Sequence, residues 1–326
     1  MSQTTPTTQA PDPHTSEFVD SVQQGLRKGS QKTLPSRYLY DAIGSALFEV
    51  ITLLPEYGVT RADERLIERH AGELANQMGP QVVMAELGSG NGTKTRRIIS
   101  ALTLNASLVY MPIDVSASAL ARCQRELENI DSVDVQPLQA SYFEGLRIAM
   151  ERAPQDKRLL LLFLGGTIGN FDRPAIPEFL NQLRATIRTG DAFLLGTDLE
   201  KPVSQLLAAY DDALGVTAAF NLNILARINR DLDGNFDLPS FEHVARFDER
   251  ERRIEMHLRA RSDQKVWIGT AKLGINIREG ETIWTESSHK FNVREIVRLS
   301  EDCGFRCAAQ WVDEEWPFAE TLLIAE

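Results

Sequence analysis

The chain has 326 residues, of which 43% are hydrophobic and 25% charged, a composition typical of a soluble globular enzyme. Its net charge of −11 is spread along the sequence. This argues against nucleic acid or an anionic membrane as a partner, because both bind basic surfaces. No apolar run reaches the roughly 20 residues of a membrane span, and we expect a cytoplasmic protein. We also expect a monomer that acts on a small molecule.

The three cysteines and five histidines indicate neither a disulfide framework nor a metal site. Cys303 and Cys307 are spaced like residues on successive helical turns, and the histidines lack metal-ligand spacing. Residues 1–15 are rich in Thr, Pro and Gln and lack the order of a signal peptide. We predict that they form a disordered tail.

Helical periodicity comes first in the chain, and strand–helix alternation follows it. Three amphipathic segments, 18–26, 37–54 and 61–78, are predicted to be helices that precede the sheet. From residue 81 short apolar strands alternate with helices, as in a parallel doubly wound sheet. The predicted strands are 82–85, 108–113, 133–138, 159–164 and 192–195, and the predicted helices are 94–104, 116–129 and 174–187.

The pattern changes after residue 200. One long helical region is predicted over 204–230, and several antiparallel strands over 243–289. A helix over 293–303 and a closing hairpin of strands 306–312 and 320–325 resume the first pattern. The predicted fold is α/β, a sheet with a terminal antiparallel hairpin and a smaller α+β domain. The predicted domains are 16–61 with 201–289, and 62–200 with 290–326.

A glycine loop follows the first predicted strand. Gly88, Gly90 and Gly92 lie where open α/β sheets bind ligands, and glycine lets the backbone approach a ligand closely. Asp114 ends the next strand, where a carboxylate binds ribose hydroxyls or caps a helix. NAD enzymes also have an acidic residue there. Glu86 and the terminal hairpin favour S-adenosylmethionine (SAM) and a class I, Rossmann-like methyltransferase.

Three further motifs carry polar side chains. The segment 164–170 follows the fourth strand of the sheet, where amine methyltransferases place the nucleophilic nitrogen, although Asn170 also suits a turn. Tyr210 lies in the long helical region and is either a site residue or a half-buried packing residue. Glu286 and Ser288 share one strand face because strand side chains alternate. That face suits an imidazole or ammonium ligand, or is simply solvated.

Together these motifs resemble the L-histidine Nα-methyltransferase family of ergothioneine biosynthesis, from about Phe18 to the C-terminus. The matching segments are Tyr40–Ser45, Leu54–Tyr57, Glu86–Gly90, Gly165–Asn170, Leu195–Leu199, Ala209–Asp212, Phe220–Asn221 and Arg253–Met256, with Glu286 and Ser288. The resemblance implies SAM-dependent trimethylation of L-histidine, through its mono- and dimethyl forms, to hercynine. It implies no metal.

The resemblance also implies a role for each matching residue. Asn170 and Tyr210 would hold the substrate carboxylate, and Tyr57, Glu286 and Ser288 would bind the imidazole. Met256 and Phe220 would shape the pocket. Gly165 and Thr167 would line the position of the amine, near Tyr40. The residues expected to bind SAM are Gly88, Ser89, Gly90, Lys94, Asp114, Ser141 and Tyr142.

Two positions depart from the family pattern, and three alternatives remain open. Gly58 stands where the family often has a second aromatic residue. Ser141, followed by Tyr142, stands where an acidic residue near the adenine is expected. The alternatives are a methyltransferase for another amino acid such as tryptophan, an NAD-dependent oxidoreductase, and a non-catalytic SAM-binding protein. Glu286 disfavours the first, because a carboxylate buried against indole is costly unless paired. The hairpin and the absence of a Tyr-x-x-x-Lys set disfavour the second.

Overall fold

The structure is a computed structural model that describes residues 13–104 and 106–326. Most of the predicted tail, residues 1–12, lies outside this range, and residues 13–15 begin the first helix. The chain divides into two compact units. The smaller unit contains the described residues up to Leu47, Gly215–Ala245 and Met256–Glu286. The larger unit contains Phe48–Leu214, Arg246–Glu255 and Ser287–Glu326.

The helices of the described residues are α1 (Pro13–Leu26), α2 (Ala42–Leu53), α3 (Val59–Met78), α4 (Thr95–Leu102), α5 (Ala117–Leu127), α6 (Tyr142–Arg152), α7 (Ala175–Thr186), α8 (Val203–Tyr210), α9 (Val216–Leu232) and α10 (Val293–Asp302). Short 3-10 helices lie at Ser36–Leu39, Thr167–Asn170 and Leu238–Ser240. None of these helices is long and apolar enough to cross a membrane.

The strands are β1 (Lys32–Thr33), β2 (Val82–Leu87), β3 (Leu108–Asp114), β4 (Val133–Val135), β5 (Leu138–Gln139), β6 (Arg158–Phe163), β7 (Ala192–Asp198), β8 (Phe241–Asp248), β9 (Arg253–Ala260), β10 (Gln264–Ile268), β11 (Leu273–Ile277), β12 (Thr282–His289), β13 (Phe305–Asp313) and β14 (Phe318–Ala325).

The main sheet lies in the larger unit and has the order β13-β14-β7-β6-β2-β3-β4, with β5 also paired to β3. Strands β2, β3, β4, β6 and β7 pair in parallel. Strand β14 inserts antiparallel between β7 and β13. The predicted parallel sheet with a terminal antiparallel hairpin is thereby confirmed.

Strand β6 and the residue after it explain why residues 159–164 are almost wholly apolar. Leu159, Leu161 and Phe163 belong to one buried apolar cluster, and Leu160, Leu162 and Leu164 belong to a second cluster. Alternate side chains of a strand point to opposite faces, so both faces of the sheet are covered. This arrangement is expected for a central parallel strand.

The smaller unit contains α1, residues 42–47 of α2, α9 and most of two further sheets. One has the order β1-β12-β9-β8, and β1 runs parallel to β12. The other is the antiparallel pair β10 and β11. The unit boundaries fall within β8, β9 and β12. The sequence predicted several strands here, but it missed the short strands β1 and β10.

Three predicted elements are interrupted in the structure. The long helix is two helices, because the backbone leaves helical geometry at Asp211, with a φ of −145°, and Gly215 adopts a left-handed φ of 72° just before α9. The strand predicted over 133–138 splits into β4 and β5 near Pro137, which has no N–H for a ladder. The helix predicted over 37–54 breaks before α2, where Asp41 Oδ1 accepts a hydrogen bond from Gly44 N at 2.7 Å.

Candidate active site

The glycine loop lies at the carboxyl end of β2. Gly88 and Gly90 have φ of 67° and 57°, a region that residues with a Cβ rarely adopt. Gly88 N donates to Ile113 O on β3 at 2.8 Å. The loop is therefore held against the end of the neighbouring parallel strand, where open α/β sheets bind ligands.

Asp114 ends β3 and is oriented by two backbone N–H groups. Its Oδ2 accepts from Gly90 N at 3.2 Å, and its Oδ1 accepts from Ser116 N at 2.8 Å. Burial raises the pKa of Asp114, against the lowering effect of these hydrogen bonds. Ser116 caps α5, because its hydroxyl accepts from Ala119 N. The carboxylate is therefore not needed as the cap and lies beside the glycine loop.

Ser89, Ser141 and Tyr142 add polar groups to this edge. Ser89 Oγ is buried and has no hydrogen-bond partner within the described residues. Ser141 begins α6 without using its hydroxyl as a cap. A Cβ on Gly88 would lie 3.4 Å from Tyr142 Oη, so this phenol adjoins the loop. An unused hydroxyl, a fixed carboxylate and a glycine loop form a set that fits a nucleoside cofactor.

Three buried carboxyl groups and one ammonium lie behind the loop. Asp63 on α3, Glu86 on β2 and Glu320 on β14 are 0%, 3% and 2% exposed. Lys94 forms an ion pair with Asp63, and its Nζ would lie 3.2 Å from a Cβ on Gly165. Lys94 therefore connects the glycine loop to the loop after β6.

These buried groups shift one another's pKa values. Burial raises the pKa of Glu86 to about 7, despite hydrogen bonds from Tyr110 Oη and Thr95 Oγ1. Burial and the charge of Asp63 raise the pKa of Glu320. Loss of hydration lowers the pKa of Lys94, but the Asp63 carboxylate more than offsets this and raises it. The sequence analysis missed Asp63 and Glu320. The signal that could have identified them is an acidic residue among the apolar positions of α3 and of β14.

The loop after β6 carries the predicted positions around the amine. Gly165 and Gly166 are followed by the 3-10 turn Thr167–Asn170. Thr167 Oγ1 donates to Leu164 O at 3.2 Å, so its proton is used and its oxygen remains an acceptor. A Cβ on Gly169 would lie 2.8 Å from His289 O. The turn therefore approaches the end of β12 closely, and His289 Nδ1 donates to Gly169 O.

Three predicted substrate-binding residues meet in the larger unit. The rings of Tyr57 and Tyr210 pack edge to face with centroids 6.2 Å apart. Tyr210 Oη donates to Ser288 Oγ at 2.7 Å. The structure brings these residues together, although they are far apart in the sequence.

Sequence reasoning missed Lys290, which lies next to this group. Its side chain is fully buried and forms an ion pair with Asp198 at 2.7 Å. Asp198 also pairs with Lys201. Burial, together with the positive charge of Lys290, lowers the pKa of Lys201 to about 8, against the raising effect of the Asp198 carboxylate. In the sequence, a lysine at the end of a strand looks like an ordinary solvated residue. The signal that could have pointed to a buried partner for it was Asp198, the acidic residue in the segment 195–199.

The remaining predicted substrate residues lie in the smaller unit. Tyr40 packs edge to face on Phe220 with ring centroids 5.4 Å apart. Met256 is buried on β9, and Glu286 lies on β12 with 8% exposure. The phenol, the thioether and the carboxylate therefore belong to the same compact unit.

Asn221 joins α9 to two strands of this unit. Its Oδ1 accepts from Thr285 Oγ1 at 2.6 Å, and its Nδ2 donates to His257 O at 3.1 Å. Thr285 Oγ1 also lies 3.0 Å from Met256 O. This fully buried amide thereby fixes β9 and β12 at the residues beside Met256 and Glu286.

Comparisons with known proteins show which family the sequence matches. A family model described as "Histidine-specific methyltransferase, SAM-dependent" matches residues 18–325. The chain belongs to this family. It is 38% identical to a histidine N-alpha-methyltransferase of Mycolicibacterium smegmatis, over 94% of this chain and 97% of that protein. A Mycobacterium tuberculosis protein of the same name is 39% identical, over 92% of each chain.

A third relative connects the family to a pathway. The Neurospora crassa protein named ergothioneine biosynthesis protein 1 is 28% identical over 87% of this chain, which corresponds to 32% of that longer protein. The family membership makes the present chain a SAM-dependent methyltransferase, with SAM as its methyl donor. The NAD-dependent and non-catalytic alternatives are therefore set aside.

Proposed function

We propose that this protein transfers three methyl groups from SAM to the α-nitrogen of L-histidine. The product is hercynine, and the reaction is the first step of ergothioneine biosynthesis. The proposal is supported by the family match over residues 18–325 and by the histidine-methylating relatives. The observation that carries it is the meeting of Tyr57, Tyr210 and Ser288 in the larger unit, because the resemblance assigns the substrate's ring and carboxylate to these positions.

The proposed substrate contacts are divided by chemistry. Tyr210 and Asn170 bind the carboxylate of histidine or of its mono- or dimethyl form. Tyr57, Ser288 and Glu286 bind the imidazole nitrogens, and Phe220 and Met256 limit the space around the ring. Gly165, Thr167 and Tyr40 surround the amine. The partner is thus a small amino acid, and the division of the chain into a substrate-binding and a SAM-binding domain remains part of the proposal.

The proposed SAM contacts lie at the carboxyl ends of β2 and β3. Gly88, Ser89 and Gly90 approach the cofactor with backbone and hydroxyl groups, and Asp114 accepts from the ribose hydroxyls. Lys94 lies toward Gly165, and Ser141 with Tyr142 lines the side near the adenine. Ser141 offers a hydroxyl where the family has a carboxylate, so it can donate as well as accept.

The chemistry requires alignment and loss of a proton. When bound, SAM supplies a methyl group on a positively charged sulfur, which leaves readily. Before a transfer the ammonium of the substrate would lose a proton to solvent, and the neutral amine would then take the methyl group while the sulfur keeps the electron pair of the S–C bond. The chain's task is to hold the neutral amine in line. Because the proton of Thr167 is donated to Leu164 O, its oxygen accepts an amine N–H and orients the lone pair.

A product assay tests the proposal. The protein is incubated with SAM and single amino acids, and the products are weighed by mass spectrometry. We expect a product with three added methyl groups from L-histidine. A methylated product from tryptophan with none from histidine would replace the proposed substrate. A histidine product that stops at one or two methyl groups would correct the proposed extent of transfer.

A further inference from the structure

His289 is buried at the end of β12 and contacts the turn Thr167–Asn170. It is 1% exposed, and its Nδ1 lies 3.0 Å from Gly169 O. Because a carbonyl oxygen can only accept a hydrogen bond, Nδ1 is the donor and carries the ring proton. The side chain of Ser288, one residue earlier, points to the opposite face of the strand. The end of β12 therefore offers Ser288 to the proposed ring-binding position and His289 to the turn.

The surroundings of the ring keep His289 neutral. Its Nε2 is buried and has no hydrogen-bond partner within the described residues, so a proton on this nitrogen would be left without an acceptor. Burial lowers the pKa of His289, although its hydrogen bond to Gly169 O raises it. The charges of Arg173 and Arg253 lower the pKa further, against the opposing charge of Asp172. The ring is therefore held in one form, with its proton on Nδ1.

The hydrogen bond from His289 joins the turn to another strand. Within the turn, Gly169 N donates to Gly166 O at 3.0 Å, a bond that closes inside the loop. Ile168 is buried in an apolar cluster of the sheet, which holds the turn on the sheet. Apolar contacts are not directional, so they do not set the orientation of a peptide group. The bond from Nδ1 to Gly169 O does set it.

The backbones of the turn and the strand lie directly against each other at this point. A Cβ on Gly169 would lie 2.8 Å from His289 O and 3.3 Å from His289 N, so no side chain fits between them. Thr167 and Asn170 belong to the same short turn as Gly169. A change in the contact between Gly169 and His289 therefore moves both of these residues relative to β12.

We propose that His289 is a positioning residue that places Thr167 and Asn170 relative to Ser288. This inference rests on the proposed function, in which Asn170 binds the substrate carboxylate, Thr167 orients the amine and Ser288 binds the ring. One small substrate is then held by two separate segments of the chain. Because small errors in alignment slow a transfer strongly, the distance between these segments has to be fixed. The hydrogen bond from His289 to Gly169 O fixes it.

The test replaces the imidazole and follows both substrates. His289→Leu removes the donor and keeps a buried side chain of similar size. His289→Asn restores a donor, because the amide nitrogen of Asn is as many bonds from Cα as Nδ1 is. For His289→Leu we expect kcat/KM for L-histidine to fall about tenfold, the loss of one hydrogen bond, with a raised KM for L-histidine. The dissociation constant of SAM should stay within about twofold of the wild type, and His289→Asn should recover most of the loss.

The rise in KM distinguishes a positioning role from simple destabilisation. Loss of folded enzyme lowers the apparent kcat and leaves KM unchanged, because KM does not depend on the amount of active enzyme. Ser300→Ala is the matched control in α10. The hydroxyl of Ser300 is also buried and donates to a backbone oxygen, Ile296 O, at 2.8 Å. This variant should leave the KM for L-histidine unchanged.

A second measurement detects the hydrogen bond in the wild type itself. Nitrogen-15 NMR of protein labelled at histidine distinguishes a ring protonated on Nδ1 from one protonated on Nε2, and the signal of His289 is the one missing from the spectra of the variants. At pH 8 we expect the proton on Nδ1.

A proton on Nε2 would overturn the inference. So would unchanged kinetics of His289→Leu, a loss in kcat alone, or a loss that His289→Asn does not recover. A wild type that binds SAM but does not methylate L-histidine would instead overturn the proposed function, and this inference with it.

Discussion

The indole of Trp316 fills the space into which a side chain at Gly58 would project. A Cβ on Gly58 would lie 2.2 Å from Trp316 Cε3, and the indole is 7% exposed. Trp316 therefore occupies the space that a larger side chain at position 58 would need. Trp316 Nε1 also donates to Asp198 Oδ1 at 3.3 Å, which adjoins the ion pairs of Lys201 and Lys290.

The first prediction concerns this close approach. Gly58→Ala should destabilise the protein by about 1–3 kcal/mol, because inserting a methyl group into a filled core forces its neighbours to move. Gly72→Ala is a matched control within the adjacent helix α3, where a Cβ meets nothing within 4 Å. It should stabilise by up to about 1 kcal/mol through helix propensity. Urea unfolding measures both, and equal effects of the two substitutions would contradict the steric explanation.

The second prediction concerns pH. The pKa of Glu86 is raised to about 7 from an ordinary 4.5, so the folded state favours the protonated form. Its stabilising contribution is complete below pH 4.5 and is lost as pH rises to 7, a loss of about 3 kcal/mol. Glu86→Gln should remove this loss while keeping an oxygen that accepts from Tyr110 and Thr95.

The measurement is the free energy of unfolding in urea at pH 5 and at pH 8. The difference between the two values should be smaller in Glu86→Gln than in the wild type. Glu151→Gln, an exposed residue of α6, should leave the difference unchanged. If Glu86→Gln and the wild type show the same pH dependence, the raised pKa of Glu86 is wrong.

The third prediction separates a ligand from a helix cap. Asp114→Asn should weaken SAM binding at least about tenfold, because an amide has only one oxygen for two backbone donors and the ribose hydroxyls. Ser116→Ala removes the cap of α5 and should cost about 1 kcal/mol of stability with little change in SAM affinity. Calorimetric titration with SAM and thermal unfolding measure the two effects. If Asp114→Asn and Ser116→Ala bound SAM with equal affinity, Asp114 would not be a ligand of the SAM ribose.

The fourth prediction concerns Asn221 in the smaller unit. Asn221→Ala leaves the His257 carbonyl without its amide partner, which costs about 1–3 kcal/mol, whereas the Thr285 hydroxyl can still donate to Met256 O at 3.0 Å. We expect a raised KM for histidine with unchanged SAM affinity. Asn229→Ala is the matched control on the same helix, because Asn229 binds only the backbone of Phe236. If Asn229→Ala raised the KM for histidine equally, the effect of Asn221→Ala would reflect a general destabilisation of the smaller unit.

The fifth prediction concerns Glu286. Glu286→Ala should weaken L-histidine binding by tenfold or more, since hydrogen bonds to charged groups contribute about 1.5–3 kcal/mol, and should leave SAM binding unchanged. Glu281→Ala removes a carboxylate that caps Arg278 N and pairs with Lys32, and should change neither affinity. Unchanged turnover of histidine by Glu286→Ala would show that the imidazole is bound elsewhere.

The sequence predicted the sheet well because period-two and period-3.6 patterns report burial directly. The uninterrupted apolar residues of β6 and the strand–helix alternation were sufficient to identify the main sheet as parallel and doubly wound. Breaks in elements were missed because the backbone conformation of one or two residues causes them, as at Asp211 and Gly215 between α8 and α9.

The site residues also fall into those that the sequence predicted and those that it missed. Gly88 and Asp114 lie next to recognisable strand ends, whereas Lys290, Asn221 and Asp63 act through partners distant in the sequence. The sequence alone does not show that Lys290 forms a hydrogen bond with Tyr210, which lies 80 positions earlier in the chain. Such residues resemble ordinary surface or helix positions until the fold brings their partners together.

The two compact units are interleaved along the chain, which passes between them after residues 47, 214, 245, 255 and 286. No contiguous fragment consists of one whole unit alone, so neither unit can be excised, expressed alone or exchanged between relatives as a cassette. Recombination at a single crossover would split at least one hydrophobic core. A change of substrate in this lineage therefore has to proceed by individual substitutions within an intact scaffold, and directed evolution of the enzyme should use point-mutation libraries instead of domain shuffling.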